Sequence, residues 1–498
     1  MSSSEIFRLV LLLVATVSYC ACRRSRSRHP HIIFIVADDL GWSDVGWRDP
    51  EMHTPALDRL AKEGIILNQA YMQSSCSPSR GALMTGKYPF RLGLQHSVIS
   101  AGKKEYLTDK ETILPQYLRT LGYATHIVGK WHLGFCDWKY TPTYRGFDTF
   151  YGFYNAAQGY FNHTGKKNGY DFRDNEKVDW SAKGTYSTHL FATRAQRIVR
   201  DHDPDKPLFL YLPFQAVHGP FEVPQEYIDN YCSHVQDKAR RVHCGMVAAL
   251  DEAVGNVSQS LQDSGLADNA IVIFTTDNGG PTKKGSSNWP LRGSKTTLWE
   301  GGTRAISFVQ SKSRRLLPKQ GVTFNGLMHV VDWLPTLLTA AGYDSNDIPA
   351  NIDGINMWKQ LRRVRGRSPR REMVYNIDEV KDNAAIRIGR WKLIQGKAGK
   401  PNGWYNPPTG VRSRKVPRGK APTLQLFDLK RDPNETRNLI KRKPKIVQRL
   451  LRKLEKYKSE LVPSEPRSRM LKMSDPKLFN NTWSPGFCSE VKPTEDCL

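Results

Sequence analysis

The segment HIIFIVADD, residues 31–39, is an almost unbroken apolar run that ends in two aspartates. Three later segments have the same layout, each an apolar run followed by polar or glycine residues: THIVGK (125–130), PLFLYLPF (207–214) and AIVIFTTDN (270–278). Continuous apolar runs of this length are typical of parallel strands that are buried on both faces. The four segments therefore predict strands of one parallel sheet.

Helical patterns lie between these strands. Apolar residues recur at helical spacing in TPALDRLAKEG (54–64), TILPQYLRTLG (112–122) and GMVAALDEAVGNVSQSLQDSG (245–265). The first and the last of these end at a glycine, a residue that often closes a helix. Strands that alternate with helices predict a doubly wound α/β domain over residues 30–360, with ligands bound beyond the carboxyl ends of the strands.

The pattern changes in the last quarter of the chain. IRIGRWKLIQG (386–396) and LQLFDLKRDP (424–433) predict an antiparallel sheet, and KIVQRLLRKLEKYKSEL (445–461) predicts one helix. The Pro-, Gly- and base-rich segment 397–423 has no apolar period and predicts a loop or a hairpin tip. We expect a smaller C-terminal α+β subdomain over residues 372–498.

Composition excludes several classes of protein. The chain has 498 residues, of which 39% are hydrophobic, and its mean hydropathy is −0.54. These values exclude collagen-like, coiled-coil, wholly disordered and polytopic membrane proteins. The length allows about two to four domains, each large enough to bury its own core.

The positive charge is concentrated near the C-terminus. Residues 361–498 carry 34 Lys and Arg against 14 Asp and Glu, which is +20 of the net charge of +26. The densest runs are LRRVRGRSPRR (361–371), VRSRKVPRGK (411–420) and KRKPK (441–445), and no nucleic-acid-binding module surrounds them. They are either solvated loops or a patch that holds a polyanion such as a sulfated glycan.

The N-terminus has the layout of a secretory signal peptide over residues 1–22. Arg8 precedes the apolar run LVLLLVATV (9–17), and small residues follow in SYCAC (18–22). The run is too short to span a bilayer comfortably, which predicts no stable membrane span, although a retained signal anchor is the alternative. Four N-x-[ST] sites fit N-glycosylation in the secretory pathway, at a lysosomal or extracellular destination. They lie at Asn162, Asn256, Asn434 and Asn480.

Six cysteines remain after the leader: Cys76, Cys136, Cys232, Cys244, Cys488 and Cys497. Cys232 and Cys244 bracket a short polar segment and are the easiest local pair. Cys136 is a candidate to reach one of the two C-terminal thiols. The sequence leaves the connectivity open.

Oxygen donors follow two of the predicted strands. Asp38 and Asp39 come after the first strand, and Asp277 and Asn278 come after the fourth. Ca²⁺ and Mg²⁺ prefer carboxylate and amide oxygens, so the two pairs together predict a site for one hard cation. Turns or helix caps are the alternative for each pair alone.

The most informative segment is SSCSPSRGALMTGKYPFRLGLQH (74–96). We expect Ser77 as the N-cap and Pro78 as the first residue of a helix, with Cys76 just outside its amino end. Free N–H groups and the helix dipole there favour a bound anion, and Arg80 adds a guanidinium fork. The alternative for Cys76 is a disulfide partner or an inert thiol.

The CSPSR segment and the GALMTGKYP that follows resemble the signature of the sulfatase family. Further matching segments follow in the family's order and span nearly the whole mature chain. They are ADDLGWSDVGW (37–47), VGKWHLG (128–134), RGFDTFYG (145–152), AVHGP (216–220), TTDNGG (275–280), NWPLRGSKTTLWEGG (288–302) and LFDLKRDPNETRNL (426–439). The resemblance implies an alkaline-phosphatase-like mixed sheet and the hydrolysis of sulfate monoesters.

The resemblance also implies a cofactor set. In the family the signature Cys, here Cys76, is oxidised to formylglycine by a formylglycine-generating enzyme, and the hydrated aldehyde attacks sulfur. Asp38, Asp39, Asp277 and Asn278 would bind one Ca²⁺ together with residue 76.

Roles for the remaining site residues follow from the same resemblance. Arg80 would stabilise the attacking oxyanion. His218, assisted by Lys130, would protonate the departing oxygen. His132 would take a proton from the second hydroxyl so that the aldehyde reforms. Lys130 and Lys295, with His218, would clamp the sulfate oxygens.

Within the family, NWPLRGSKTTLWEGG and RLGLQH are most similar to the arylsulfatase B subgroup. This similarity implies exo-removal of the 4-sulfate from N-acetylgalactosamine of glycosaminoglycans or a related sulfated glycan. Two alternatives stay open. One is a phosphoester hydrolase on the same scaffold, which normally pairs a Ser or Thr nucleophile with two metals. The other is a secreted pseudoenzyme that binds sulfated glycans without turnover.

Overall fold

A computed structural model describes residues 29–414, 422–464 and 469–488. The predicted signal peptide at 1–22 and Cys497 lie outside these ranges. The basic run 411–420 and the predicted loop 397–423 lie partly outside them. The part of 397–423 that is described before residue 415 forms no helix or strand, which agrees with the predicted loop.

The strands of the described residues form one large and two small sheets. The strands are β1 (His31–Ala37), β2 (Ile65–Leu67), β3 (Ala70–Tyr71), β4 (Ala124–Lys130), β5 (Thr149–Phe153), β6 (Arg173–Asp174), β7 (Lys177–Val178), β8 (Leu208–Pro213), β9 (Ala270–Thr276), β10 (Ser307–Gln310), β11 (Val322–Phe324), β12 (Met328–His329), β13 (Glu372–Asp378), β14 (Asn383–Ile388), β15 (Trp391–Gln395) and β16 (Leu424–Asp428). The four predicted strands are β1, β4, β8 and β9, and all are confirmed.

The large sheet has the order β11-β2-β10-β9-β1-β8-β4-β5-β6-β7. Its five central strands, from β9 to β5, run parallel. Antiparallel strands flank them, with β10 on one side and β6 and β7 on the other. The sheet is therefore mixed, as the resemblance implied, and the predicted α/β fold is confirmed.

Helices cover both faces of this sheet. They are α1 (Pro55–Glu63), α2 (Cys76–Thr85), α3 (Leu114–Thr120), α4 (Ser187–Asp201), α5 (Gln225–Tyr231), α6 (Lys238–Asp263), α7 (Glu300–Thr303), α8 (Trp333–Ala340), α9 (Trp358–Arg363) and α10 (Pro444–Lys458). α6 begins earlier than the predicted residue 245, because the Asp237 side chain accepts a hydrogen bond from the Arg240 N–H at 2.8 Å and caps the helix there.

Both faces of the central strands are buried, which explains the continuous apolar runs. Phe34 of β1 packs on one side with α2, α3 and α8. Its neighbour Ile35 packs on the other side with α1, α4 and α6. Successive side chains of a strand point to opposite faces, so both must be apolar here.

A four-stranded antiparallel sheet, β13-β14-β15-β16, follows in the C-terminal part. α10 packs against β14 and β15, with Leu450 and Leu454 buried. The division at residues 360 and 372 stays a prediction. A buried ion pair crosses that boundary, since Lys392 Nζ of β15 lies 3.0 Å from Glu300 Oε1. Lys392 Nζ also lies 2.8 Å from Glu435 Oε1, on its own side of the boundary.

The described residues contain two disulfides, Cys136–Cys488 and Cys232–Cys244. The local pair is the predicted one, and Cys136 reaches the nearer of the two C-terminal candidates. Cys76 is a free, buried thiol. In the described part of the chain, every helix is too short or too polar to cross a membrane.

Candidate active site

The carboxyl ends of β1 and β9 bring four oxygen-bearing side chains together. The two strands are parallel neighbours, and Asp38 and Asp39 follow one while Asp277 and Asn278 follow the other. The Asp39 N–H donates to Asp277 Oδ1 at 3.2 Å, and Asn278 Nδ2 donates to Asp39 Oδ1 at 2.7 Å. All four side chains are buried. The topology thus gathers the predicted donors at one edge of the sheet.

α2 begins earlier than the sequence predicts. Its N-cap is Ser75 and its first residue is Cys76, so the expectation of Ser77 as cap and Pro78 as first helical residue is wrong. The Ser79 N–H donates to the Ser75 carbonyl at 3.2 Å, which closes the first turn. Proline is tolerated there because the first turn needs no N–H donor from it. Cys76 therefore lies within the positive end of the helix.

Two buried cations contact the carboxylates. Arg80, one turn after Cys76, places Nη2 2.9 Å from Asp277 Oδ2 and 3.4 Å from Asp38 Oδ2. Lys130, the last residue of β4, pairs its Nζ with Asp38. Burial alone would raise the pKa of Asp38, but the charge of Lys130 and other nearby cations outweighs burial and holds the pKa far below its usual range. Asp38 is therefore ionised at physiological pH.

The Cys76 sulfur lies among these charges. Sγ is 3.4 Å from Asp38 Oδ1 and 3.4 Å from Lys295 Nζ, and the residue is 1% exposed. Burial, and then the charges of Asp277 and Asp38, raise the pKa of this thiol far above its usual range. As a cysteine the group stays protonated, and a thiol is a much weaker nucleophile than a thiolate.

Lys295 and His218 form the more open side of the site. Lys295 Nζ lies 2.6 Å from Asp39 Oδ1, and His218 Nε2 lies 3.7 Å from Asp39 Oδ2. The Lys295 side chain is 16% exposed and the His218 side chain 21%, whereas Lys130 and Arg80 are buried. Burial would lower the pKa of Lys295, yet Asp39 and other anions raise it well above its usual value. Lys295 therefore stays protonated and places a positive charge at the more open side of the site.

His132 is held by a backbone group. Its Nε2 lies 2.9 Å from the Ile99 carbonyl, so Nε2 carries the proton and Nδ1 has a free lone pair. Nδ1 is buried without a hydrogen-bond partner in the described residues. Burial and then the charge of Lys130 lower the pKa of His132 well below its usual value. His132 is thus a neutral imidazole with an available base.

The donors present fit a hard cation. The Asn278 Oδ1 atom is buried and accepts no hydrogen bond within the described residues. One ligand atom each of Asp38, Asp39, Cys76 and His218 lies within 4.8 Å of the others. Carboxylate and amide oxygens are the ligands that Ca²⁺ and Mg²⁺ prefer, and a cation would satisfy the orphaned amide oxygen.

A cavity of about 280 Å³ is lined by residues that flank Cys76 and Lys295 in the sequence. Its lining includes Ser74, Ser75, His96, Thr296, Asp378 and Lys381. Thr296 follows Lys295 in sequence, and Ser75 precedes Cys76. His96 Nδ1 lies 2.9 Å from Asp378 Oδ1, and His96 also lines a second cavity of about 520 Å³. These two cavities leave space for a polar part of a ligand near Cys76 and Lys295.

Three hydrogen bonds at the site could not be predicted from the sequence. The Ile99 N–H donates to Ser77 Oγ at 3.1 Å, while its carbonyl binds His132. Ser79 Oγ donates to the Asp277 carbonyl. The serines lie inside the quoted signature segment, but Ile99 acts through its backbone, for which a sequence carries no signal.

Comparisons with known proteins identify the family of the chain. The sulfatase family model matches residues 30–343. Arylsulfatase J of Mus musculus is 39% identical over 93% of this chain and 81% of its own length. N-acetylgalactosamine-6-sulfatase of Homo sapiens is 30% identical over 70% of this chain and 68% of its own length.

A solved structure described as "Crystal structure of Ps i-CgsB" superposes with a TM-score of 0.77 at 27% identity, covering 92% of this chain and all of that one. The similarity to the arylsulfatase B subgroup stays a prediction. The family match covers more than half of the chain and includes every predicted site residue. The chain belongs to the sulfatase family and is a sulfuric ester hydrolase.

Proposed function

We propose that the chain removes sulfate from sugar sulfate esters, with the 4-sulfate of N-acetylgalactosamine in a glycosaminoglycan or a related sulfated glycan as the substrate. The reaction would use Cys76 converted to formylglycine and one Ca²⁺. The observation that carries the proposal is the position of the Cys76 sulfur, 3.4 Å from both the Asp38 carboxylate and the Lys295 ammonium. A sulfate monoester is an anion with a poor leaving group, so it needs cations, a proton donor and a nucleophile in one pocket.

Ca²⁺ would be held by Asp38, Asp39, Asp277 and Asn278 together with residue 76. When bound, the cation supplies positive charge that polarises oxygen ligands and lowers the pKa of a bound hydroxyl. The free Asn278 Oδ1 atom supports this assignment.

The state of Cys76 argues against the unmodified thiol as the nucleophile and so favours its conversion to formylglycine by a formylglycine-generating enzyme before the site closes. A buried thiol whose pKa is raised is a weak nucleophile. The hydrated aldehyde offers an oxygen nucleophile and a second hydroxyl, which allows the side chain to regenerate. Arg80 and the first N–H groups of α2 would stabilise negative charge on the attacking oxygen.

His218 is the proposed acid for the departing sugar oxygen, assisted by Lys130. Its Nδ1 donates to the Gly219 carbonyl at 2.7 Å, which leaves Nε2 directed toward the cluster, 3.7 Å from Asp39 Oδ2. Burial lowers the pKa of His218. The protonated form is therefore more populated at acidic pH, where a proton donor of this kind works best.

His132 is the proposed base in the second half of the reaction. Its Nε2–H donates to Ile99, so Nδ1 is the atom that takes the proton from the second hydroxyl. Lys130 and Lys295, with His218, would hold the sulfate oxygens while charge redistributes.

The cavity beside the site supports a sugar as the leaving group. Polar side chains that line it, among them His96, Asp378 and Lys381, suit hydroxyl and anionic groups. One relative is named for N-acetylgalactosamine 6-sulfate, and the structure of another, similar at 27% identity, is a complex with a neocarrahexaose. Discrimination between the 4- and the 6-sulfate is the main question for the assay.

The deciding experiment combines mass spectrometry across residue 76 with activity assays. Protein produced with its maturase should carry an aldehyde at 76, and Cys76→Ala should abolish turnover. The substrates are N-acetylgalactosamine 4-sulfate, its 6-sulfate, glucosamine sulfates and a chromogenic aryl sulfate. An unmodified thiol with no turnover would favour the glycan-binding pseudoenzyme. Hydrolysis of phosphate esters in preference to sulfate esters would favour the phosphoester hydrolase.

We propose a secretory-pathway location, in the lysosome or outside the cell. The two disulfides support it, since such bonds persist in oxidising compartments. Asn162, Asn256 and Asn480 are exposed, and Asn434 is partly exposed, so all four are candidates for N-glycans. Glycopeptide mass spectrometry of secreted protein tests both points.

A further inference from the structure

Helix α10 has an apolar face and a basic face. Val447, Leu450 and Leu454 are buried on the side that packs against β14 and β15. The opposite side is exposed and carries Lys445, Arg449, Arg452 and Lys456, which we call the basic stripe. This helix contains the end of the KRKPK run, which the proposed reaction does not use.

The basic stripe is straight. Its members are four, three and four residues apart, and at about 100° and 1.5 Å per residue they lie within an arc of about 60° and span about 16 Å along the helix. The Cβ atoms of neighbouring members are therefore roughly 5–6 Å apart. A linear ligand with regularly spaced negative charges matches this arrangement.

The basic stripe has no acidic partner among the described residues. Across the described ranges, none of its four side chains makes a hydrogen bond or an ion pair. The acidic groups nearby are already paired, because Glu455 lies 2.8 Å from Lys458 and Glu372 lies 2.7 Å from Lys453. The charge of the basic stripe is thus available to an external anion.

Helix stability does not explain the basic stripe. Like charges three and four residues apart repel each other and weaken a helix. The first turn of α10 carries no acidic residue, and Lys445 stands at the positive end of the helix dipole. The stabilising arrangement would place acids there.

The segment after α10 leads toward the candidate active site. Val462, Pro463 and Ser464 line the cavity of about 520 Å³ that shares His96 with the cavity beside Cys76. The Val462 N–H donates to the Phe90 carbonyl at 2.8 Å, which fixes this segment to the main domain.

We infer that the basic stripe is a binding site for a linear sulfated glycan, which it holds outside the active site while one ester is hydrolysed. The attraction is electrostatic and requires no buried contact, so it raises the local concentration of polymeric substrate and depends on salt. The inference goes beyond the proposed reaction, since binding needs no turnover.

Two other anionic surfaces fit less well. A helix that inserts into a lipid surface needs a free apolar face, and the apolar face of α10 is buried against the sheet. Single-stranded nucleic acids stack their bases on aromatic side chains. The aromatic residue of α10, Tyr457, is partly buried and donates to Glu372 Oε1 at 2.8 Å.

The test uses the full-length chain and the variant Lys445→Gln, Arg449→Gln, Arg452→Gln, Lys456→Gln. A matched control removes the same charge from four scattered, exposed lysines: Lys62→Gln, Lys177→Gln, Lys183→Gln, Lys312→Gln. The measurements are the NaCl concentration that elutes each protein from immobilised heparin, and KM for polymeric chondroitin sulfate and for an aryl sulfate.

The stripe variant should elute at a clearly lower NaCl concentration than the control and should show a KM for the polymer raised roughly five- to tenfold, within the range of electrostatic steering. Its kcat and its KM for the aryl sulfate should match those of the control. Equal elution of the two variants would overturn the inference. Stripe-dependent binding to transfer RNA or to phosphatidylserine vesicles that exceeds binding to heparin would overturn the choice of ligand.

Retention on heparin also separates this inference from the proposed reaction. Cys76→Ala should be retained like the unaltered chain although it lacks turnover. An inactive unaltered chain that still binds heparin through the basic stripe would contradict only the proposed reaction.

Discussion

The ammonium nitrogen of Lys295 lies 3.4 Å from the Cys76 sulfur. It is also 2.6 Å from Asp39 Oδ1, and neighbouring anions raise its pKa well above the usual value. On the proposed function, a fixed charge at this distance from the side chain of residue 76 would stabilise negative charge on the attacking group without having to move during the reaction. Lys295 is therefore the cation whose removal should be most informative at the open side of the site.

Lys295→Met should lower kcat for an aryl sulfate by roughly 10²-fold or more, the usual effect of removing one preorganised charge partner. Steady-state kinetics measure it, with Lys284→Met as the control because Lys284 is exposed in a neighbouring loop. Unchanged kcat in Lys295→Met, or an equal loss in both variants, would remove Lys295 from the mechanism.

Substitutions of His132 and of His218 should block different half-reactions. His132→Ala should release about one equivalent of aryl alcohol per active site and then stop, because the proposed base of the second half-reaction is missing. Rapid-mixing measurements of alcohol release detect this burst. Multiple turnovers at an unchanged rate would contradict the role of His132.

His218→Ala should show no such burst and should depend strongly on the leaving group. An acidic nitrophenol departs without a proton, so its sulfate ester should be hydrolysed with a much smaller loss than a sugar sulfate. The ratio of kcat/KM for the two substrates is the measurement. An equal loss for both would argue that His218 only binds sulfate.

Lys392 should be essential for stability. Its removal leaves the buried carboxylates of Glu300 and Glu435 without the cation that lies 3.0 and 2.8 Å from them. Breaking a buried pair from one side costs about 3–5 kcal/mol, so Lys392→Met should lower the free energy of unfolding by about that amount. Equilibrium denaturation measures it.

The triple variant Lys392→Met, Glu300→Gln, Glu435→Gln should recover part of this loss, because it removes the uncompensated charges as well. A triple variant that is less stable than Lys392→Met would show that the carboxylates act through contacts other than the ion pair. Glu300 also accepts hydrogen bonds from Tyr71 and Tyr375, so recovery should be incomplete.

Asp251 predicts a pH dependence of stability. Burial raises the pKa of its carboxyl group from 3.8 to about 7, although the Leu57 and Ala56 N–H groups of α1 act in the opposite direction. Between these two values the folded chain binds the proton more tightly than the unfolded chain. The stabilising contribution is therefore complete below pH 3.8 and is lost as the pH rises through about 7.

Asp251→Asn cannot ionise, so its stability relative to the unaltered chain should increase from pH 5 to pH 8. Free energies of unfolding at the two pH values measure this, with Asp263→Asn as an exposed control on the same helix. The opposite trend would mean that hydrogen bonds from α1 outweigh burial and that the carboxylate stabilises the fold.

Four of the five parallel strands at the centre of the large sheet were predictable, because burial on both faces forces continuous apolar runs in β1, β4, β8 and β9. The clustering of the oxygen donors followed from the same reasoning, since parallel neighbours end at one edge. The start of α2 was not predictable from capping rules. Ser75 makes no side-chain capping bond, so Ser77 matched the rule better than the residue that actually begins the helix.

Contacts between residues far apart in the chain could not be predicted from the sequence. Lys392 lies in WKLIQ, where alternation says only that one face of a strand is buried and nothing identifies Glu300 as its partner. Ile99 contributes only backbone atoms, which every residue type possesses. A residue whose role depends only on where the fold places its backbone or its ion-pair partner cannot be recognised from a sequence pattern.

The burial of Cys76 sets an order of events during biogenesis. A side chain that is 1% exposed beneath charged neighbours offers no surface to another protein. On the proposed function, the maturase must therefore reach this segment before the sheet closes over it, and folding competes with oxidation. Conditions that slow folding should therefore raise the fraction of chains that carry an aldehyde at residue 76. A chain that folds before the maturase reaches it would keep the Cys76 thiol and would be secreted folded but inactive.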